Sequence, residues 1–155
     1  FSRHGETQCR LGLPMLVGEW GAFDRNVAST LDAAWVVSSM FESLGCGDTY
    51  WHFEPDLDRL PPFQAISRPY PERVAGKLAS YHYSIQDDAF ECGWNEDLAI
   101  LSPTVVYLPD WFNRPTRQIR IEPEGSGFNL RHAGAGVWIE IQPAGQAGPR
   151  TLRIQ

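Results

Sequence analysis

The sequence has little of what marks several broad protein classes. No run of like charge occurs in its 155 residues, and the formal net charge of −6 comes from scattered acids. Phosphate binding wants a basic stripe, so nucleic acid is not an expected partner. No apolar stretch approaches the roughly 20 residues of a membrane-spanning helix. A signal-peptide pattern is missing too, but the chain starts at Phe1 rather than Met, and the expectation is that it begins inside a longer protein. Cysteine is scarce: Cys9, Cys46 and Cys92 include no CxxC and cannot all pair within the chain. Packed reduced thiols and one bridge such as Cys9 with Cys46 both remain open. No Asn-x-Ser/Thr acceptor occurs, which leaves the compartment undecided. His4, His52, His82 and His132 are isolated, with no HxxxH, so no metal site is expected. Neither a P-loop, a dinucleotide fingerprint nor a G-x-S-x-G elbow appears, and no cofactor is expected.

What is present is a 43% apolar fraction, enough to bury a core, with six tryptophans and twelve prolines. Aromatic platforms and rigid extended connections suit a carbohydrate-active protein. Residues 14 to 54 read as strand, helix, strand. Met15 to Val17 is a continuous apolar run, as in a strand covered on both faces. From Asn26 to Gly45, the residues Val27, Leu31, Ala34, Trp35, Phe41 and Leu44 fall along one helical stripe. Ser29 with Asp32 predicts a capping box, and Gly45 a left-handed stop. Gly47-Asp48 then turns into a strand over 49–53, and residues 5–13 read as the end of a preceding helix. This is the α/β grammar of a parallel sheet, and two strands leave such a sheet with open edges.

From about residue 79 the grammar becomes all-β. Seven short strands are predicted near 80–85, 90–94, 104–108, 118–122, 127–131, 137–141 and 151–154, a β-sandwich pattern. Between the halves, SRPYPERVAG reads as a structured junction, because its prolines force an extended course. The expected organisation is 1–66 as part of an α/β domain, 67–78 as junction and 79–155 as sandwich.

The stretch PMLVGEWGAF, 14 to 23, ends an apolar run with a carboxylate, Glu19. Functional groups of parallel α/β folds gather at the C-terminal ends of strands. A charge there costs several kcal/mol of desolvation unless partners or function compensate it. One reading is a Glu paired with an arginine elsewhere; the other is a nucleophilic or acid/base carboxylate. Gly18 and Gly21 let a ring or side chain approach the backbone closely. Trp51, Glu54 and Asp56 end or follow the second strand; Glu54 and Asp56 could bind sugar hydroxyls or simply be solvated.

On these residues the chain resembles glycoside hydrolase family 5. PMLVGEWGAF is similar to the seventh strand of that family's (β/α)8 barrel, with its nucleophilic Glu in G-E-[FW]-G. TYWHFEP, 49 to 55, is similar to the eighth strand, whose Trp forms the floor under the sugar. ISRPYPERVAGKLASYHY, 66 to 83, resembles the barrel-to-sandwich junction of the endoglycoceramidase branch. The resemblance implies the C-terminal part of a TIM barrel, strands 7 and 8, followed by a β-sandwich. It further implies a retaining glycosidase acting on glycosylceramides or related glycolipids. Glu19 would be the nucleophile, with Trp51, Trp20 and Glu54 on the substrate. It favours a secreted or extracellular protein and a glycolipid or oligosaccharide substrate. The family's acid/base Glu follows an Asn and precedes the nucleophile. The chain's Asn95-Glu96 comes later, in the sandwich half, and reads as a surface hairpin pair. The acid/base and the N-terminal part of the barrel are therefore expected outside these residues, and the chain alone is expected to be inactive. A family 5 β-glucanase acting on polysaccharide and a non-catalytic carbohydrate-binding protein remain as alternatives.

Other features receive plainer expectations. His52 follows Trp51 onto the opposite face of its strand and reads as a packed or hydrogen-bonded imidazole rather than a sugar contact. Tyr81, Tyr83 and Trp94 alternate along strands and read as core or inter-domain packing rather than as a sugar platform. The glycines of GSGF and HAGAGVW read as hairpin turns. YLPDWF, 107 to 112, is read as a loop exposing apolar residues that could transiently meet a membrane or lipid aggregate.

Overall fold

The computed structural model describes residues 2–21, 23, 24, 27, 29–114 and 116–155. The chain divides into two compact units, Phe1–Ser67 and Arg68–Gln155. In the first, α1 (Ser2–Leu11) leads into β1 (Leu16–Gly21), α2 (Thr30–Leu44) and β2 (Gly47–Trp51). A 3-10 turn at Leu57–Arg59 and the short α3 (Phe63–Ile66) follow. β1 and β2 pair in parallel, so β1-α2-β2 is a crossover unit, the long connection that parallel neighbours need because a tight hairpin cannot join them.

α2 buries Ala34, Trp35 and Phe41 along its predicted stripe. Full burial of a phenylalanine such as Phe41 is worth about 2–3 kcal/mol. Its start differs from expectation. The helix begins at Thr30, Val27 lies outside it and exposed, and Asn26 lies outside the described residues. Ser29 takes a right-handed helical conformation, φ −67° and ψ −5°, and makes no side-chain capping bond, so the predicted box with Asp32 does not form. The Thr30 hydroxyl instead donates to the Val27 carbonyl at 2.8 Å. The predicted stop holds. Gly45 is left-handed at φ 58°, and the amides of Gly45 and Cys46 close back on the carbonyls of Glu42 and Phe41.

The second unit contains β3 (Tyr70–Arg73), β4 (Gly76–Ser84), β5 (Ala89–Glu96), β6 (Thr104–Pro109), β7 (Ile119–Glu122), β8 (Phe128–Ala133), β9 (Gly136–Ile141) and β10 (Gly148–Ile154). They form two four-stranded sheets, ordered β4-β5-β10-β7 and β3-β6-β9-β8. Every pairing in them is antiparallel. Phe90, Cys92, Trp94, Leu152 and Ile154 from one sheet, and Val106, Leu108, Val137, Ile139 and Ile141 from the other, are all buried. Alternation along each strand puts these residues on one face, and the two faces make the core of a sandwich. Tyr81 and Tyr83 are buried with them, in keeping with their expected core role.

β3 and the first residues of β4 fall within the stretch read as a junction. Proline masks this strand in the sequence. Pro71 lacks an amide donor, yet β3 lies at a sheet edge and bulges at Glu72, where proline is tolerated. Two further expectations change. Glu96, read as half of a surface pair, is buried in β5 with Arg150. Phe112 and Leu108, read as exposed, are buried, and the Arg117 guanidinium stacks 3.7 Å from the Phe112 ring centroid. Leu108 and Phe112 therefore turn inward, while Tyr107 and Trp111 stay half-buried.

Candidate active site

The register of β1 on β2 carries an irregularity at the residue of interest. Leu16 pairs with Gly47 and Val17 with Asp48, and the ladder resumes with Trp20 opposite Tyr50 and Gly21 opposite Trp51. Gly18 and Glu19 thus stand together opposite Thr49, two residues against one. This is a β-bulge, and a bulge re-aims side chains. In strict alternation Val17 and Glu19 would share a face. With one extra residue inserted, Val17 and Trp20 share a face with Asp48 and Tyr50, while Glu19 falls on the opposite face with Thr49 and Trp51. The Thr49 hydroxyl donates to the Gly18 carbonyl at the bulge.

The face that receives Trp20 is the packed one. Trp20 is only 8% exposed, and its ring meets Phe41 and Tyr50 edge-on at 5.3 Å each. Its indole N–H donates to Asp48 Oδ1 at 2.8 Å. Trp20 was expected to touch substrate; with both its apolar surface and its polar atom engaged, it holds β1 against α2 and β2 instead. Asp48, which the sequence presented as a turn residue, turns out to anchor this contact. The signal was there in its two-residue spacing from Tyr50, which puts both on one face of a strand.

Glu19 itself is exposed, and among the described residues no hydrogen bond or ion pair engages it. Trp51, at the C-terminal end of β2, keeps 54% of its surface open. Gly21 fits only because it lacks a side chain. Its φ is 120°, and a Cβ there would lie 2.5 Å from the Tyr50 ring and 2.6 Å from the Trp51 carbonyl oxygen. A Cβ at Gly18 would meet nothing within 4 Å, so the backbone beside Glu19 is open to approach.

Beyond β2, Glu54 is mostly buried and lies 3.9 Å from His52 Nε2. Tyr50 feels it: burial first, then the Glu54 charge, raises the phenol's pKa above its ordinary value. His52 is 57% exposed, stands edge-on to Trp51 at 5.8 Å and lies 3.9 Å from Glu54, so it is neither packed nor within hydrogen-bond distance of that carboxylate, as one of the two was expected to hold. The structure therefore brings Glu19 and Trp51 to one face, keeps Glu54 in the loop that follows, and takes Trp20 into the interior. Among the described residues no cluster of three His, Cys, Asp or Glu could hold a metal ion. No helix among them is long and apolar enough to cross a membrane.

Solved structures with this fold include endo-glycoceramidase II from Rhodococcus sp. in an iminocyclitol complex. It has a TM-score of 0.77 and 21% identity over 99% of this chain and 36% of that one. The lactosyl-enzyme intermediate of the same protein gives 0.75 and 21%, again over 99% and 36%. Sterylglucosidase 1 from Cryptococcus neoformans gives 0.68 and 15%, over 92% of this chain and 28% of that one. The chain thus spans about a third of the length of these solved relatives. No curated protein sequence matches it. The model of the glycoside hydrolase family 5 C-terminal domain matches residues 68–154, all but the last residue of the second unit. With more than half of its residues in that match, the chain belongs to glycoside hydrolase family 5, as a C-terminal portion.

Proposed function

We propose that the chain is the C-terminal part of a retaining glycosidase that cleaves the β-glycosidic bond of glycosylceramides or related lipid glycosides. In this reading β1 and β2 are the seventh and eighth strands of a (β/α)8 barrel. The observation that carries it is the bulge at Gly18-Glu19, which sets an open carboxylate on the same sheet face as an exposed tryptophan. A barrel strand's inward face is where substrate meets protein.

Glu19 attacks the anomeric carbon, and the bond to the leaving oxygen breaks as a covalent glycosyl-enzyme forms. A second carboxylic acid about 5–5.5 Å away protonates that oxygen, then takes a proton from the water that releases the sugar. That second acid belongs to another part of the parent protein. Glu96 is no candidate, because its Oε1 accepts from the Ala144 amide and its Oε2 from Arg150. Trp51 stacks on the apolar face of the sugar ring, where a rigid π surface matches C–H bonds. Glu54 accepts hydrogen bonds from sugar hydroxyls. Trp20 and Asp48 fix the strand that carries Glu19. The lipid-glycoside class is supported by the endo-glycoceramidase and sterylglucosidase likenesses, which differ in aglycone.

The test uses the full parent protein. A fluorinated mechanism-based β-glycoside traps the glycosyl-enzyme, and peptide mass spectrometry should find the label on Glu19. Glu19→Gln should abolish turnover while the far-UV spectrum is unchanged. Label on any other carboxylate removes the assignment.

A further inference from the structure

The sandwich carries aromatic side chains outside its core, in a pattern no short motif reveals. In the β3-β6-β9-β8 sheet, Tyr70 pairs with Tyr107, Tyr107 with Trp138, and Trp138 with Arg131. These four residues form one row perpendicular to the strands, one from each strand. Because Val106, Leu108, Val137 and Ile139 face the core, alternation puts Tyr107 and Trp138 on the outer face. The rings touch in sequence. Tyr70 and Tyr107 are 5.3 Å apart, Tyr107 and Trp138 are 5.0 Å apart, and the Arg131 guanidinium sits 4.6 Å over Trp138. The three rings span two strand spacings, about 10 Å, room for about two pyranose rings in line.

The strip is held in place before any ligand arrives. The Trp138 indole N–H donates to Glu72 Oε2 at 2.8 Å, from the bulge of β3. Arg131 Nε donates to Glu140 Oε1 at 2.9 Å, and the Tyr107 hydroxyl to the Ala135 carbonyl at 3.3 Å. Tyr107 lies against Gly136, where a Cβ would come within 2.3 Å of the ring. Rings fixed this way lose little freedom on binding.

We infer that the Tyr70-Tyr107-Trp138 strip is a second glycan-binding surface, which takes a β-linked oligosaccharide by stacking its rings. The flanking groups argue for sugar over lipid or an apolar helix. Glu72, Glu140 and Arg131 edge the rings, and an apolar partner would desolvate them without return. Sugar hydroxyls both donate to carboxylates and accept from a guanidinium. The other sheet's outer face offers a contrast. There His82, Glu91, Arg153 and Arg120 form the corresponding row, and Arg153 pairs with Glu91 at 2.7 Å and Glu122 at 3.1 Å. Among the described residues that row ties Arg153 to two glutamates and holds no line of aromatic rings. The inference stands apart from the role of Glu19.

The test titrates the 155-residue chain with cellotetraose up to about 10 mM and follows tryptophan indole resonances. The Trp138 signal should shift saturably. Trp138→Ala and Tyr107→Ala should each weaken binding about tenfold, Trp138→Phe less, and His82→Ala not at all. Absence of a saturable shift, or equal binding by the ring variants, overturns the inference. So does a Trp138 response to dodecylphosphocholine micelles but not to the sugar, which would make the strip a lipid contact. In the full parent protein, failure of acrylamide to quench Trp138 would show the strip covered by protein and overturn it too.

Discussion

Removing one charge from the buried Glu96–Arg150 pair should unfold most of the margin that holds the sandwich together. The side chains are 2% and 1% exposed, and their bond is 2.7 Å long. Glu96 Oε1 also accepts the Ala144 amide at 2.6 Å, and Arg150 reaches the Ser126 hydroxyl at 2.6 Å. Arg150 lies 5.5 Å from the Trp94 ring centroid. Yet Arg150 Nε and Trp94 Nε1 are buried without a hydrogen-bond partner among the described residues. The guanidinium is already short of one acceptor, so losing Glu96 takes away the one carboxylate paired with it among the described residues. Breaking such a pair costs about 3–5 kcal/mol, much of a total that for a domain of this size is on the order of 5–10. With a urea slope of about 2 kcal/mol per molar, Glu96→Gln should lower the midpoint by about 2 M. Following the Trp94 indole resonance reads the second unit by itself. Glu96→Leu with Arg150→Met should instead fall within about 1 kcal/mol of the original, because the desolvated charges leave together and the exposed Ala144 amide turns to water. A loss under about 1 kcal/mol for Glu96→Gln, or a double variant no better than the worse single, refutes the reasoning.

The same fold sets further measurable outcomes. Asp88 accepts from Tyr83 at 2.8 Å and pairs with Arg117 at 2.7 Å. Burial pushes its pKa up, but the hydrogen bonds from Arg117 and Tyr83 and the charges of Arg117 and Arg114 outweigh this and hold it below 3.8. A depressed carboxyl stabilises the fold fully above the unfolded value and loses that contribution as pH falls through the folded one. Urea midpoints from about pH 5 to about pH 2 should therefore fall less steeply in Asp88→Asn than in the unaltered chain. Burial, then the Glu91 charge, pushes the Cys92 thiol up to about 12, and Cys46 is buried while Cys9 is exposed. At about pH 8, Ellman's reagent should find one fast thiol in the folded chain and three after unfolding. Gly76 has φ 150°, and a Cβ there would lie 1.9 Å from the Asn95 carbonyl oxygen. Gly76→Ala should cost at least about 2 kcal/mol in urea unfolding, since the obstructing atoms of Asn95 and Asp97 are all backbone.

Local chemistry was legible wherever one element decides its own shape. The α2 stripe, the Gly45 stop, the hairpin at Gly134 and the core placement of Tyr81, Tyr83 and Trp94 all follow from periodicity or backbone freedom. Contacts between distant segments were harder to read. Glu96 looked like half of a surface pair because its partner, Arg150, lies 54 residues away. Trp20 looked available to substrate because nothing nearby in sequence announced Asp48 and Phe41 as its neighbours. The prolines around Tyr70 hid a strand that only its edge position permits.

The sequence by itself determined which residues could be buried, where turns must fall, and that a lone carboxylate ends an apolar strand. Each of those is set by side-chain chemistry within a few residues. Only the tertiary structure decided which way that carboxylate faces, because one extra residue between paired strands reverses alternation and no single strand records its partner's register. The same holds for Tyr70, Tyr107 and Trp138, scattered along the chain and aligned solely by three strand pairings.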